Sequence, residues 1–219
     1  MRIIKSWWWS VKVTVSVLKS KLDKRETINK VVNTDADYIH VDVMDGQFIP
    51  HYSLSEYEVN NLFAGVTKSL DIHLMVEDVK KYIDAFKDLN VHSFVFHVES
   101  KQNIMDLIKY VHSLGIKVGL VLNPETKTDS LLPYLDEIDT ILVMGVNPGQ
   151  GGQKLIKETV DKGFVLKGLK DKFNYRYEIG IDGGVNLETR PLLNDFDYLI
   201  SGSYVCMSDN YQEKIDSLR

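Results

Sequence analysis

The sequence predicts an α/β fold, a single (β/α)8 barrel of the TIM type, from three observations. Eight short apolar runs alternate with eight segments of helical spacing along 219 residues, the pattern of repeated βα units joined by right-handed crossovers. Apolar residues make up 44% of the chain and are spread evenly, with no acidic tail, basic block or linker, so residues 1–219 read as one domain. A glycine-rich loop follows the sixth run, whereas the dinucleotide fingerprint of an open doubly wound sheet belongs after the first.

The elements follow in order. Val11–Leu18 alternates β-branched with polar residues and reads as a first strand, with Ser16 near its C-terminal end. A helix over about Asp23–Asn33 leads to the strand Tyr38–Val43. Strict alternation there sends His40 and Asp42 to one face and Val41 and Val43 to the other. Asp45-Gly46 breaks this strand and Pro50 stiffens its exit. Helical spacing over Leu54–Phe63 precedes a third strand, Leu70–Met75, which carries His73. Glu77-Asp78 then opens a helix whose apolar face holds Val79, Tyr82, Ile83 and Phe86.

Val91–His97 is a fourth strand, and Asn103–Leu114 a helix stopped by Gly115. A strand at Lys117–Leu122, a helix at about Ser130–Leu135 and a strand at Thr140–Met144 lead into the glycine-rich loop. A helix at about Leu155–Leu169, the strand Tyr177–Asp182, a short helix at about Leu187–Asn194, the strand Tyr198–Ser201 and a last helix complete the chain.

Composition narrows the partners. A formal charge of −5 with no clustered Lys and Arg argues against a nucleic-acid surface and leaves a small molecule as the partner. No run of eighteen apolar residues offers a membrane span. One cysteine, Cys206, allows neither an internal disulfide nor a zinc-finger pair, which fits a reducing cytoplasm. Residues 1–10 form a Trp-rich N-terminal extension whose short apolar segment lacks a signal-peptide cleavage site. Its Trp7-Trp8-Trp9 run reads as a plug for the barrel floor or as a subunit contact, and a homo-oligomer is expected.

In a (β/α)8 barrel the C-terminal strand ends share one mouth. Strand two brings His40 and Asp42 there, strand three His73, and strand seven Asp182. Singly, His73 reads as a hydrogen-bonded core histidine and Asp182 as a turn-former before Gly183-Gly184. Jointly, two imidazoles and two carboxylates suit one divalent metal ion: Zn, Fe, Mn or Co. The loop Asn147-Pro148-Gly149-Gln150-Gly151-Gly152-Gln153 lets backbone amides approach an anion closely. Gly183 and Gly184 after strand seven and Gly202-Ser203 after strand eight join it, and loops in these places are a recurring phosphate cradle in such barrels.

The combination His40-x-Asp42-x-Met44-Asp45-Gly46-x-Phe48-x-Pro50, His73-Leu74-Met75-Val76, Met144-x-Val146-Asn147-Pro148-Gly149-x-Gly151-Gly152-Gln153 and Asp182-Gly183-Gly184-Val185 resembles the ribulose-phosphate 3-epimerase family. The four motifs stand in order over nearly the whole chain. The resemblance implies a phosphosugar epimerase, acting on a small-molecule ketose phosphate, with one divalent metal on His40, Asp42, His73 and Asp182. It implies Asp42 and Asp182 as the acid/base pair. It also implies substrate contact at Ser16 and a reaction centre lined by Met44, Met75 and Met144. Asn147 and Gln153 are placed to orient the phosphate loop, and His97 at the end of strand four reads as structural.

The departures from the family pattern spare every proposed ligand. Lys19 and Lys21 stand where a small polar residue and an Asp are usual, Gln47 where His is common, His51 where Asn follows the proline, and Gln150 in place of an aromatic. They bear on sugar specificity and loop closure. The reading is therefore interconversion of D-ribulose 5-phosphate and D-xylulose 5-phosphate. Alternatives are epimerisation of a related ketose phosphate such as D-allulose 6-phosphate, or a non-catalytic phosphosugar-binding protein, which the two carboxylates disfavour. A decarboxylase of the same barrel superfamily would carry Lys two residues after the strand-two Asp, where this chain has Met44.

Overall fold

The computed structural model describes residues 11–219. The Trp7–Trp9 segment lies outside the described residues. Eight parallel strands close into a barrel in sequence order, with β8 paired to β1. They are β1 Lys12–Ser16, β2 Tyr38–Met44, β3 Leu70–Met75, β4 Val91–His97, β5 Lys117–Leu122, β6 Thr140–Met144, β7 Glu178–Asp182 and β8 Tyr198–Ser201. Between and after them lie α1 Lys24–Val32, α2 Glu56–Phe63, α3 Val79–Phe86, α4 Ile104–Ser113, α5 Val160–Phe173, α6 Ser203–Cys206 and α7 Tyr211–Asp216. The first four helices each start at a side-chain cap. Asp23, Ser55, Asp78 and Asn103 accept from backbone amides that have no partner inside the helix.

The strand period of two sorts the core into two layers. Outward residues such as Ile39, Val41, Val43, Ile72, Leu74, Phe94 and Phe96 are buried in the main apolar cluster, which also takes Ile28, Val59, Ile83 and Ile108 from the helices. Inward residues Val95, Val121, Leu142, Met144, Tyr198 and Ile200 form a separate cluster inside the barrel. Gly180 of β7 makes room there for Tyr198: a Cβ at this position would lie 2.0 Å from the Tyr198 ring. The Tyr198 hydroxyl is satisfied by Thr140 Oγ1 at 2.8 Å, so the interior is filled rather than open.

Three helices differ from their sequence-based expectation. The segment at about 130–135 is a 3-10 turn, Thr128–Tyr134, because Pro133 inside it has no N–H for an α-helical ladder. The segment at about 187–194 holds only the 3-10 turn Arg190–Leu192, with Pro191 at its start. The last helix is divided into α6 and α7, and Asn210 caps the second by accepting from the Glu213 amide. Among the described residues, no helix is long and apolar enough to cross a membrane.

Candidate active site

Inward alternation on three strands delivers the four candidate ligands to one point. His40 and Asp42 come from β2, His73 from β3 and Asp182 from β7, and one ligand atom of each lies within 4.8 Å of the others. His40 Nε2 is 3.4 Å from Asp42 Oδ1 and 3.8 Å from Asp182 Oδ2. His73 Nδ1 is 3.5 Å and 3.9 Å from the same two oxygens. Each imidazole uses its other nitrogen elsewhere. His40 Nδ1 is 2.7 Å from Asp71 Oδ2, and Asp71 Oδ1 in turn accepts from Ser93 Oγ at 2.6 Å. His73 Nε2 lies 3.0 Å from His97 Nε2.

His40 Nε2 and His73 Nδ1 are buried and have no hydrogen-bond partner. A buried polar atom without a partner carries an uncompensated desolvation cost, and two of them converging on two carboxylates offer a bound cation its donor atoms. Imidazole nitrogens and carboxylate oxygens in this number are the donor set of Zn, Fe, Mn or Co. The residues fit one divalent cation.

The surroundings drive the two carboxyls apart. Burial works against the Asp42 anion, but the charge and proximity of His40, followed by His73, hold its carboxyl well below the usual carboxylate range. Burial pushes the Asp182 carboxyl up to about 7; His40 opposes this shift and Asp42 adds to it. Without a cation, these surroundings push the two carboxyls in opposite directions. Burial lowers His73. For His40 burial acts in the same direction, but Asp42 and Asp71 outweigh it and raise the imidazole.

Above this cluster opens a cavity of about 800 Å³. Ser16, Asp42, Met75, Met144 and Asp182 line it. So do the expected phosphate residues Gly149, Gln150, Gly151, Gly152, Gly183, Gly184, Gly202 and Ser203, together with Asn147. Met44 does not line it. That side chain is 3% exposed and borders a separate cleft with Tyr52 and Ser53, although β2–β3 register places Met44 beside Met75. Gln153 Nε2 donates to the carbonyls of Asn147 and Gln150 at 2.7 and 2.8 Å and so shapes the glycine loop. Gly184 has φ +71, and a Cβ there would lie 2.5 Å from the Leu155 amide nitrogen, which is why the loops after β6 and β7 can cross so closely.

Sequence reasoning gave Asp71, Lys154 and Lys214 no role, and named Asp45 and Lys19 without their contacts. Asp71, which anchors His40, stands two residues before His73 on the same inward face, a signal present in the alternation. Asp45 folds the loop after β2: Oδ1 accepts from the amides of Gln47 and Phe48, and Oδ2 from that of Glu77. Lys19, Lys154 and Lys214 all line the cavity, and none of the three forms an ion pair with a carboxylate among the described residues. Lys19 Nζ reaches over the glycine loop, 3.5 Å from the Gly151 carbonyl.

A closed parallel barrel that gathers two imidazoles and two carboxyls beneath a glycine-lined cavity defines a (β/α)8-barrel enzyme. The family model described as the ribulose-phosphate 3 epimerase family matches residues 12–206. Curated relatives named ribulose-phosphate 3-epimerase include that of Bacillus subtilis, 33% identical over 95% of this chain and 98% of its own. The Synechocystis protein of that name is 34% identical over 96% and 94%, and that of Buchnera aphidicola 36% over 93% and 92%. The chain belongs to the ribulose-phosphate 3-epimerase family and is an enzyme acting on carbohydrate phosphates. Solved structures with the same fold include orotidine 5'-monophosphate decarboxylase from Sulfolobus solfataricus, with a TM-score of 0.64 at 15% identity over 95% of this chain and 96% of that one. The 3-hexulose-6-phosphate synthase from Salmonella typhimurium matches with a TM-score of 0.65 at 16% identity over 94% and 96%.

Proposed function

We propose that this chain interconverts D-ribulose 5-phosphate and D-xylulose 5-phosphate by exchanging the proton at C3, with Asp42 and Asp182 as the acid/base pair. The observation that carries this reading is the meeting of two carboxyls, drawn from β2 and β7, with two imidazoles at one point beneath the cavity. Inverting a carbon beside a ketone removes its proton from one face and returns another to the opposite face, through a planar enediolate. In one direction Asp42, held as the anion, accepts the C3 proton while Asp182 supplies one to the other face; in reverse the roles exchange. Ser16 Oγ orients the Asp42 carboxylate by donating to Oδ2 at 2.8 Å.

His40, Asp42, His73 and Asp182 would hold one divalent cation. Bound there, it supplies Lewis-acid polarisation of the substrate's ketone and hydroxyl oxygens and offsets the charge of the enediolate. Gly149–Gly152, Gly183, Gly184, Gly202 and Ser203 line the cavity, and their backbone amides would take the phosphate. Lys19, Lys154 and Lys214 supply positive charge at that end of the cavity. Met75 and Met144 give the reaction centre an apolar lining, Met44 supports it from the neighbouring β2 position, and Asn147 joins the phosphate side.

Incubation of the metal-loaded protein in heavy water with D-ribulose 5-phosphate, D-xylulose 5-phosphate and D-allulose 6-phosphate tests the reading. Deuterium should enter at C3 of both pentose phosphates, with the highest kcat/KM on that pair. Faster turnover of the hexose phosphate would move the substrate assignment. Binding without exchange would make the chain a phosphosugar-binding protein.

A further inference from the structure

Behind His73 lies a buried chain of polar groups that the four candidate ligands do not account for. His97, at the end of β4, is 1% exposed. Its ring is tilted by 23° from that of His73, with centroids 5.1 Å apart, and the two Nε2 atoms are 3.0 Å apart. Its other nitrogen, Nδ1, is 3.3 Å from Glu99 Oε2. Both of these atoms are buried and form no hydrogen bond among the described residues; they face each other across that 3.3 Å contact.

Two imidazole nitrogens at this separation share one proton, so one ring donates and the other accepts. Glu99 decides which. Its Oε1 accepts from the Asn123 amide at 3.2 Å and from the Thr126 hydroxyl. Lys162 holds that loop by donating to the carbonyls of Asn123, Pro124 and Thr126 at 2.7, 2.9 and 2.7 Å. A carboxylate fixed this way has no proton to give, so His97 Nδ1 must carry one toward Oε2. His97 Nε2 is then bare, accepts from His73 Nε2–H, and leaves His73 Nδ1 without a proton where it faces Asp42 and Asp182.

We propose that His97 and Glu99 are positioning residues that fix His73 as its Nε2–H tautomer and so keep Nδ1 open to a divalent cation. The arrangement matches the His40–Asp71 contact, one imidazole longer. Outer partners of this kind typically change metal affinity by roughly 10- to 100-fold when removed. The inference rests on the metal-site reading given above.

The discriminating variant is Glu99→Gln. The donors from Asn123 and Thr126 keep the amide oxygen in the Oε1 position, so the amide NH2 faces His97 Nδ1. That nitrogen must now accept, the proton pattern along the chain reverses, and His73 Nδ1 becomes protonated. In competition with a zinc chelator, Glu99→Gln should bind zinc roughly 10- to 100-fold more weakly than wild type with an unchanged circular dichroism spectrum. Long-range ¹H–¹⁵N spectra of the zinc-loaded wild-type chain should show His73 protonated at Nε2 and His97 at Nδ1. Zinc affinity within twofold of wild type, or His97 protonated at Nε2, overturns the proposal. If Glu99→Gln does not fold, the wild-type spectrum alone decides. Zinc binding that is lost in His40→Ala but indifferent to Glu99→Gln removes this inference and leaves the metal site standing. A wild-type chain that binds no zinc overturns both.

Discussion

The Ser16 hydroxyl donates to Asp42 Oδ2 at 2.8 Å across the β1–β2 pair, which leaves Oδ1 facing the imidazoles of His40 and His73. The two oxygens of one carboxylate therefore have separate surroundings. A hydrogen bond to a charged acceptor contributes about 1.5–3 kcal/mol, enough to hold the carboxylate plane against rotation. Ser16→Ala should lower kcat on the pentose phosphates by roughly tenfold or more, since about 1.4 kcal/mol corresponds to a factor of ten. Its thermal midpoint should fall by roughly 3–12 °C, which leaves the chain folded at assay temperature. Steady-state kinetics beside a thermal melt check this.

Asp42→Asn and Asp182→Asn each keep the shape of the side chain and remove its ability to exchange a proton. Loss of one general acid or base lowers turnover by roughly 10²- to 10⁴-fold. Both variants should show that loss with far-UV circular dichroism unchanged. A near-normal rate in either would show that proton transfer does not need two carboxylates.

Metal affinity should depend on pH with a sign set by Asp182. Its carboxyl, pushed up to about 7 by burial, is neutral below that pH in the metal-free chain. A cation entering the site must then displace this proton, and the raised His40 adds a second. Affinity should therefore fall at least roughly tenfold per pH unit as pH drops below about 7, and level off above it as far as Asp182 is concerned. Chelator competition between pH 5.5 and 8 measures the slope. A flat profile would mean that Asp182 is already ionised in the free site.

Lys19 lies over the glycine loop and forms no ion pair among the described residues. If it meets the substrate phosphate, Lys19→Ser should raise KM by a few-fold and leave kcat nearly unchanged, because an exposed charge contact contributes about 0.2–1 kcal/mol and acts equally on substrate and transition state. The effect should shrink at high salt. An unchanged KM at low ionic strength would remove Lys19 from phosphate binding.

The parts of the site that were legible in the sequence are those carried by strands. His40 and Asp42 on β2, and His73 on β3, follow from alternation alone, and Asp182 from its place before Gly183. Asp71 obeys the same alternation and was overlooked because nothing local says that it meets His40 on the next strand. The 3-10 turns at Thr128–Tyr134 and Arg190–Leu192 took the place of expected helices because proline removes a backbone donor that apolar spacing does not register. Lys19, Lys154 and Lys214 come from three separate stretches of chain, so no local pattern could group them.

By itself the sequence determined which side chains share a face of each strand and where glycine lets the backbone turn, because both are local consequences of chain geometry. Only the tertiary structure decided how closely His40, Asp42, His73 and Asp182 approach one another, that His73 is backed by His97 and Glu99, and that three lysines line the same cavity. His73 and His97 meet on the neighbouring strands β3 and β4, whereas β7 is brought to β2 and β3 when β8 pairs with β1. Closure depends on the tilt and register of all eight strands together, and no single segment encodes it.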